Sequence, residues 1–334
     1  MSDSAYSSYK QLIEILRNNK HRVIIPSGSE EYVKEVLSSR SYYGLINAFK
    51  EFLLTSSDVD VNFDQFVFSF QIETDLRSSL LKFTLLFETR FKETLAHMIG
   101  EKYGVNAEQY LQPVNFGKAA IGRVQGELNY YRRKAGIQTL PNASQKNWVA
   151  KIKDNPTKYY RERKNIIPPW ILIRNLTLGE SIVLYKILKS IDKMTIINRM
   201  LYRNETDAVS ENDSQGFAES LSIISDFRNQ LAHGSRIGMY HSAHGTMNKN
   251  IEVIITGGDF LQDSQQRYHE DDLFCFESLL VRLLSKIDKP GLINELTFIE
   301  YKYDAKSEYL YSYKSMVELP SDYIERLHLL SGIV

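Results

Sequence analysis

Asp226-Phe-Arg-Asn-Gln-Leu-Ala-His-Gly-Ser-Arg-Ile237 joins the end of an amphipathic helix to a glycine stop. From Phe217 onward, Phe217, Leu221, Ile224 and Leu231 recur at steps that place them on one buried face. At about 100° per residue, Arg228 falls about 40° from Ile224, inside that apolar stripe, where a lone guanidinium is expensive to desolvate. Asn229 and His233 lie one turn apart on the opposite, polar face with Ser222 and Asp226, and Gly234 ends the helix. Arg228 and His233 point about 140° apart on an ideal helix. They meet at one phosphate only if the helix unwinds before Gly234 or a second chain closes the site. Spacing alone also fits an amphipathic helix capped by Asn, His and Gly, with Arg228 snorkelling to a neighbouring carboxylate.

Outward from this stretch the chain reads as mainly helical. Upstream, Ile166-Ile-Pro-Pro-Trp170 and Leu176-Thr-Leu-Gly179 precede a helix through Leu184 to Leu188. Pro168 and Pro169 exclude helix, Trp170 offers an anchor, and Gly179 permits close approach or a special backbone angle. Further helices run to about Asn204, and a polar loop covers Glu205 to Gln215. Near the start, Tyr6, Tyr9, Leu12, Ile13 and Leu16 have helical spacing, Ser27 and Glu30 are spaced as a capping box, and a third helix spans about Ser41 to Leu54. The polar segment Thr55 to Asp64 reads as a loop. The longest helical pattern follows, with Leu76, Leu80, Phe83, Phe87, Phe91, Leu95 and Met98 in register and its end near Gly100 and Gly104. Beyond the motif, Ile251 to Ile255 is strand-like, Phe274 to Ile287 is a helix, and alternating tyrosines from Phe298 to Tyr313 suggest a hairpin. His269-Glu-Asp-Asp272 reads as acidic first-turn character opposing a helix dipole.

Arg228-Asn-x-x-x-His233 at a helix end resembles the Arg-x4-6-His signature of the HEPN superfamily, whose members are largely metal-independent ribonucleases. Leu37 followed by Ser-Tyr-Tyr-Gly-Leu-Ile-Asn-Ala-Phe49 resembles the Leu, paired-Tyr, aromatic pattern of the bacterial abortive infection (Abi) HEPN proteins; individually Tyr42, Tyr43 and Phe49 read as packing residues. Pro168 to Gly179 resembles the segment that precedes the active helix in Abi proteins, and Leu319-Pro320-Ser-Asp-Tyr323 their terminal segment. Arg236 continues the family's His-x-x-Arg run, but Ile237-Gly238-Met239 stands where a tryptophan is often found. Asp75-Leu76-Arg77 and Glu88-Thr-Arg90 resemble the first long HEPN helix, so Arg77, Glu88, Arg90 and Arg236 are expected to support the site. Arg90 and His97 also fit Arg-x6-His, but an unbroken helical pattern joins them. The resemblance implies a HEPN-like helical bundle over 65–248, with a helical N-terminal region 1–64, a basic insertion at about 105–165, and a C-terminal extension 249–334 containing the small β element.

With 334 residues and 43% hydrophobic content, the chain is long enough for a substantial core. Its one cysteine, Cys275, excludes an intrachain disulfide and a Cys-rich zinc site. The absence of a secretory pattern or membrane-length apolar run leads us to expect a cytoplasmic protein with no membrane partner. P-loop, dinucleotide-fingerprint and zinc-helix patterns are missing, and the reading calls for no cofactor or metal. Net charge is zero, yet Tyr131 to Lys164 holds ten basic against two acidic residues. Arg132, Arg133, Lys134, Lys151, Lys158, Arg161, Arg163 and Lys164 are interleaved with Tyr130, Tyr131, Trp148, Tyr159 and Tyr160. Cations bind phosphates and aromatic faces stack unpaired bases, so this segment suits looped or single-stranded RNA; a solvated helical surface over aromatic anchors is the plainer reading.

The resemblance implies His233 for proton transfer, Arg228 for phosphate stabilisation and Asn229 to orient the imidazole or hold the phosphate. One His and one Arg per chain are too few for both proton transfers of metal-free RNA cleavage, so a homodimer with facing motifs is expected. The expected role is an antiphage or toxin-like endoribonuclease, with a silent scaffold that holds a regulatory or antitoxin RNA as the alternative. His241 and His244 stand in a loop with no matching carboxylate cluster, which leaves a proton relay or a metal-ligand role without support.

Overall fold

Apolar residues at steps of three and four produce helices along most of the chain, and in the computed structural model the fold is mainly α. The structure describes residues 6–18, 23–54, 60–117, 121–135, 156–234, 236–243 and 271–332. Helices α1 (Tyr9–Asn18), α2 (Glu30–Arg40) and α3 (Ala48–Leu53) form the N-terminal region, with a π-helical turn at Tyr43–Asn47. A strand β1 (Val23–Ile24) pairs in parallel with β2 (Val61–Asn62), so the segment read as a polar loop ends in a short strand. Helix α2 begins after Ser29 rather than Ser27, and Glu30 accepts from Gly28 N and Arg17 instead of closing a capping box.

Helix α4 (Phe63–Tyr103) is the axis of the molecule, 41 residues and about 60 Å long. Its predicted apolar residues are all buried. Beyond it come α5 (Ala107–Tyr110), α6 (Ile121–Lys134), α7 (Pro156–Tyr159), α8 (Pro169–Arg174), α9 (Leu178–Lys186), α10 (Ser190–Leu201) and α11 (Glu211–Ala232). The chain then continues through α12 (Leu273–Leu283), α13 (Lys289–Tyr303), α14 (Ser307–Met316) and α15 (Tyr323–Ser331). Helices α8 to α14 all pack on α4. Aromatic contacts fix the position of α11: Phe91, Tyr185 and Phe217 link α4, α9 and α11, and Phe227 stacks on Phe276 of α12 at 4.4 Å.

Several local expectations are corrected. The stretch Phe298 to Tyr313 is the end of α13 and most of α14, not a hairpin. Pro169 starts α8, where its missing N–H is tolerated. Gly179 lies inside α9 with open space where a side chain would be, so it serves neither close approach nor a special angle. Helix α11 begins at Glu211, five residues inside the predicted loop, because Ser210 and Asp213 form a reciprocal cap. Asp272 caps α12 through Cys275 N rather than lying in its first turn. The predicted strand at 251–255, with His269 and Glu270, lies outside the described residues.

Candidate functional site

The Arg228 helix ends as its sequence dictates. Helical geometry persists to Ala232, His233 is the cap residue, and Gly234 takes φ +69°. The helix therefore does not unwind between Arg228 and His233. Asn229 and His233 are exposed, their side chains form no hydrogen bond within the described chain, and His233 N bonds Asn229 O. Arg228 points the other way, toward α4, where its Nε lies 3.5 Å from Glu88 Oε2. That is the neighbouring carboxylate which spacing alone anticipates.

Glu88 is nearly buried and serves two cations. Its other oxygen accepts from Lys92 Nζ at 2.6 Å, and Lys92 also donates to Leu176 O at the entry to α9. Lys92 was missed in the sequence, although Glu88 and Lys92 form a Glu-to-Lys pair at the favourable four-residue spacing. Because Lys92 already neutralises Glu88, the Arg228 guanidinium keeps charge available for an anion.

The turn after the motif is held from α4 as well. Glu73 accepts the backbone N–H of Ile237 and, at 3.1 Å, that of Gly238, while Tyr313 donates to its second oxygen at 2.7 Å. Burial and the Glu73 charge push the Tyr313 hydroxyl far above its ordinary range. At about 100° per residue, Glu73, Arg77, Thr84 and Glu88 fall within about 60° of one another, one polar stripe along the face that meets α11. Arg228 meets Glu88 and Ile237 meets Glu73, so α11 runs against α4 and Arg77 lies between those two contacts. The buried Arg77 Nε has no hydrogen-bond partner among the described residues. Glu73 had a signal of its own, an acid beside the apolar spine that begins at Leu76.

The other expected supports separate. Arg90 lies on another side of α4 and donates to the carbonyls of Arg199, Met200, Leu283 and Leu284, so it ties α4 to α10 and α12 rather than joining the site. This also removes the Arg90 and His97 pair as a second motif. Arg236 donates to Ala48 O, binding the post-motif turn to the Tyr-Tyr-Gly segment. In that segment Phe49 is buried, Tyr42 is partly buried, and Tyr43 is 78% exposed, so Tyr43 is not a packing residue. His241 Nδ1 lies 3.0 Å from Asp271 Oδ1, a carboxylate the sequence reading had not paired with it, and His244 lies outside the described residues.

These contacts draw together Leu37 to Phe49, the long helix and the motif, in one order along the chain. A family model described as Abi-like protein matches residues 35–238, more than half of the sequence. The chain belongs to the Abi-like protein family. No curated protein and no solved structure matches it.

In this Abi-like chain the basic segment divides. Lys134 pairs with Glu180 at 3.0 Å, and Tyr130 and Tyr131 also bond Glu180, so the end of α6 is fastened to α9. Arg133, Arg163 and Lys164 are exposed, and Arg132 is partly buried. Lys151 lies outside the described residues, as do the side chains of Lys158 and Arg161. Trp170 is partly exposed beside Gly100 of α4. Among the described residues, no helix is long and apolar enough to cross a membrane.

Proposed function

We propose that this Abi-like chain is a metal-independent, HEPN-type endoribonuclease of abortive infection, with the Arg228 and His233 motifs of two chains paired across a homodimer. The observation that carries the reading is the exposed, uncommitted Asn229 and His233 pair at the end of α11, with Arg228 five residues earlier on a carboxylate that Lys92 already neutralises. An imidazole can take the 2′-hydroxyl proton or protonate the leaving oxygen near neutral pH. The 2′-oxygen then bonds phosphorus as the bond to the 5′-oxygen breaks, leaving a 2′,3′-cyclic phosphate and a 5′-hydroxyl. Arginine supplies fixed donors to the crowded phosphorane. A second motif provides the other proton carrier and a guanidinium from the facing side.

Purified protein and its Arg228→Ala, His233→Ala double variant would be incubated with total cellular RNA in EDTA, and the fragment ends analysed. Cleavage by the wild type alone, leaving cyclic or 3′-phosphate ends, is expected. Undiminished cleavage by His233→Ala would sink the assignment.

A second reading, an RNA-holding scaffold without turnover, is favoured by the divergence of Arg228 and His233 within one chain. RNA that copurifies intact with a protein inactive in every condition would support it.

A further inference from the structure

Tyr202 ends α10 in a conformation foreign to tyrosine. Its φ is +59°, the left-handed region that glycine normally fills at a helix end, at a cost of about 1 kcal/mol or more for another residue. The strained turn lays its ring among three cations. Arg90 Cζ is 4.3 Å from the ring centroid, Lys286 Nζ 4.8 Å and Lys289 Nζ 5.5 Å. The hydroxyl accepts from Lys286 N and donates to Leu284 O, which fixes the ring.

None of the three cations is ion-paired among the described residues. Arg90 spends its donors on carbonyls. Lys286 is exposed at the rim. Lys289 is only 5% exposed, and its ammonium makes no hydrogen bond or ion pair within the described chain. Burial, with the charges of Arg282, Arg90 and Lys286, pushes Lys289 down to about 8. An aromatic face offers a cation about 0.5–2 kcal/mol and does not replace a counter-charge for an ammonium at the end of a largely buried side chain. Lys289 is also the first residue of α13, so the positive end of that helix adds to the field. The Asp288 carboxylate acts on Arg90 and accepts from Ser285 Oγ. Arg90, Lys286 and Lys289 thus gather more positive charge on one ring than that acid offsets.

We propose that the Tyr202 corner is an anion site, distinct from the motif, that takes one phosphoryl group between Lys286 and Lys289. A phosphoryl dianion suits this excess of positive charge and supplies several acceptors for charge-assisted hydrogen bonds, which a single carboxylate does not. Arg90 projects about 160° around α4 from Glu88, so the corner lies on the far side of the helix from Arg228. The site therefore stands whether or not the chain cleaves RNA.

Calorimetric titration of the full-length protein with inorganic phosphate tests this, alongside its thermal midpoint with and without phosphate. Binding and a raised midpoint are expected, with Lys289→Met weakening affinity about tenfold or more, the loss of one charge-assisted contact. Lys286→Met, at the exposed rim, gives the same direction if the buried variant does not fold. Absence of phosphate binding at millimolar concentration, or equal affinity in the folded variants, would overturn the site. Short RNAs with a 5′-phosphate or a 5′-hydroxyl, presented to His233→Ala protein, distinguish the source. Preference for the phosphorylated end assigns the group to an RNA terminus, and phosphate binding without that preference assigns it to free phosphate or a small nucleotide.

Discussion

A methyl group at Gly238 would clash with Val317 Cγ1 and lie 3.0 Å from Glu73 Oε2 and 3.1 Å from the Tyr313 hydroxyl. Gly238→Ala should therefore destabilise by about 1–3 kcal/mol, read as a lower urea midpoint with unchanged slope, whereas Gly179→Ala should be neutral or slightly stabilising. In the sequence Gly179 draws notice, whereas Gly238 stands only within the stretch where the family often has a tryptophan. What makes Gly238 necessary comes from Val317 and Tyr313, far along the chain, and no local pattern announces it. Arg228 was legible for the opposite reason, since a charge within an apolar stripe is a local anomaly. Glu277 is a comparable anomaly in α12: fully buried, with both carboxyl oxygens lacking a hydrogen-bond partner among the described residues. Burial, then the charges of Asp272 and Glu300, raise Glu277 well above the carboxylate range, and burial raises Asp272 to about 7. Both groups are raised, so the folded chain holds protons that the unfolded chain has released. Their contribution is complete below about pH 4 and is lost as pH rises through the folded values, for Asp272 between about 4 and 7. Glu277→Gln should thus gain stability over wild type as pH increases, and a difference independent of pH between the two unfolding curves would contradict this.

Among the elements, α11 shows how a helix boundary escapes a hydrophobic pattern. Its apolar stripe starts at Phe217, but the reciprocal bonds of Ser210 and Asp213, with Arg203 on Asp213 at 3.0 Å, fix its first turn. Aspartate stands where glutamate or glutamine completes the usual box, and the predicted loop absorbed it. Ser210→Ala should cost about 1 kcal/mol in chemical denaturation, and no change would mean that Arg203 and Asp213 hold the turn alone. Helices α13 and α14 failed as a predicted hairpin through a different confusion. Tyr301 and Tyr311 are exposed while Tyr303 and Tyr313 are buried, so the tyrosines alternate as strand residues do. The helical period resides in Leu292, Ile293, Leu296, Ile299 and Tyr303, all buried along α13. Aliphatic spacing carried the true signal, and the aromatic alternation across the 304–306 turn obscured it.

For the whole molecule, the proposed activity turns on whether one chain or two would make the site. Arg228 is committed to the α4 face and His233 to solvent, and the intact helix between them leaves no hinge by which a single chain could turn both to one phosphate. In the proposed symmetric dimer, facing motifs would overcome this by bringing the imidazole of one chain to the guanidinium of the other across the two-fold axis. The consequence is quantitative. Wild type would be mixed with the Arg228→Ala, His233→Ala variant, the chains exchanged through mild denaturation and refolding, and RNA cleavage measured at constant total protein. If each site needs both motifs, activity follows the square of the wild-type fraction, so an equal mixture retains about one quarter of the wild-type rate. If each chain acts alone, about one half remains. A linear dependence on wild-type fraction, in a mixture shown to have exchanged, would place all the chemistry within one chain and require a movement of α11 that frees Arg228 from Glu88.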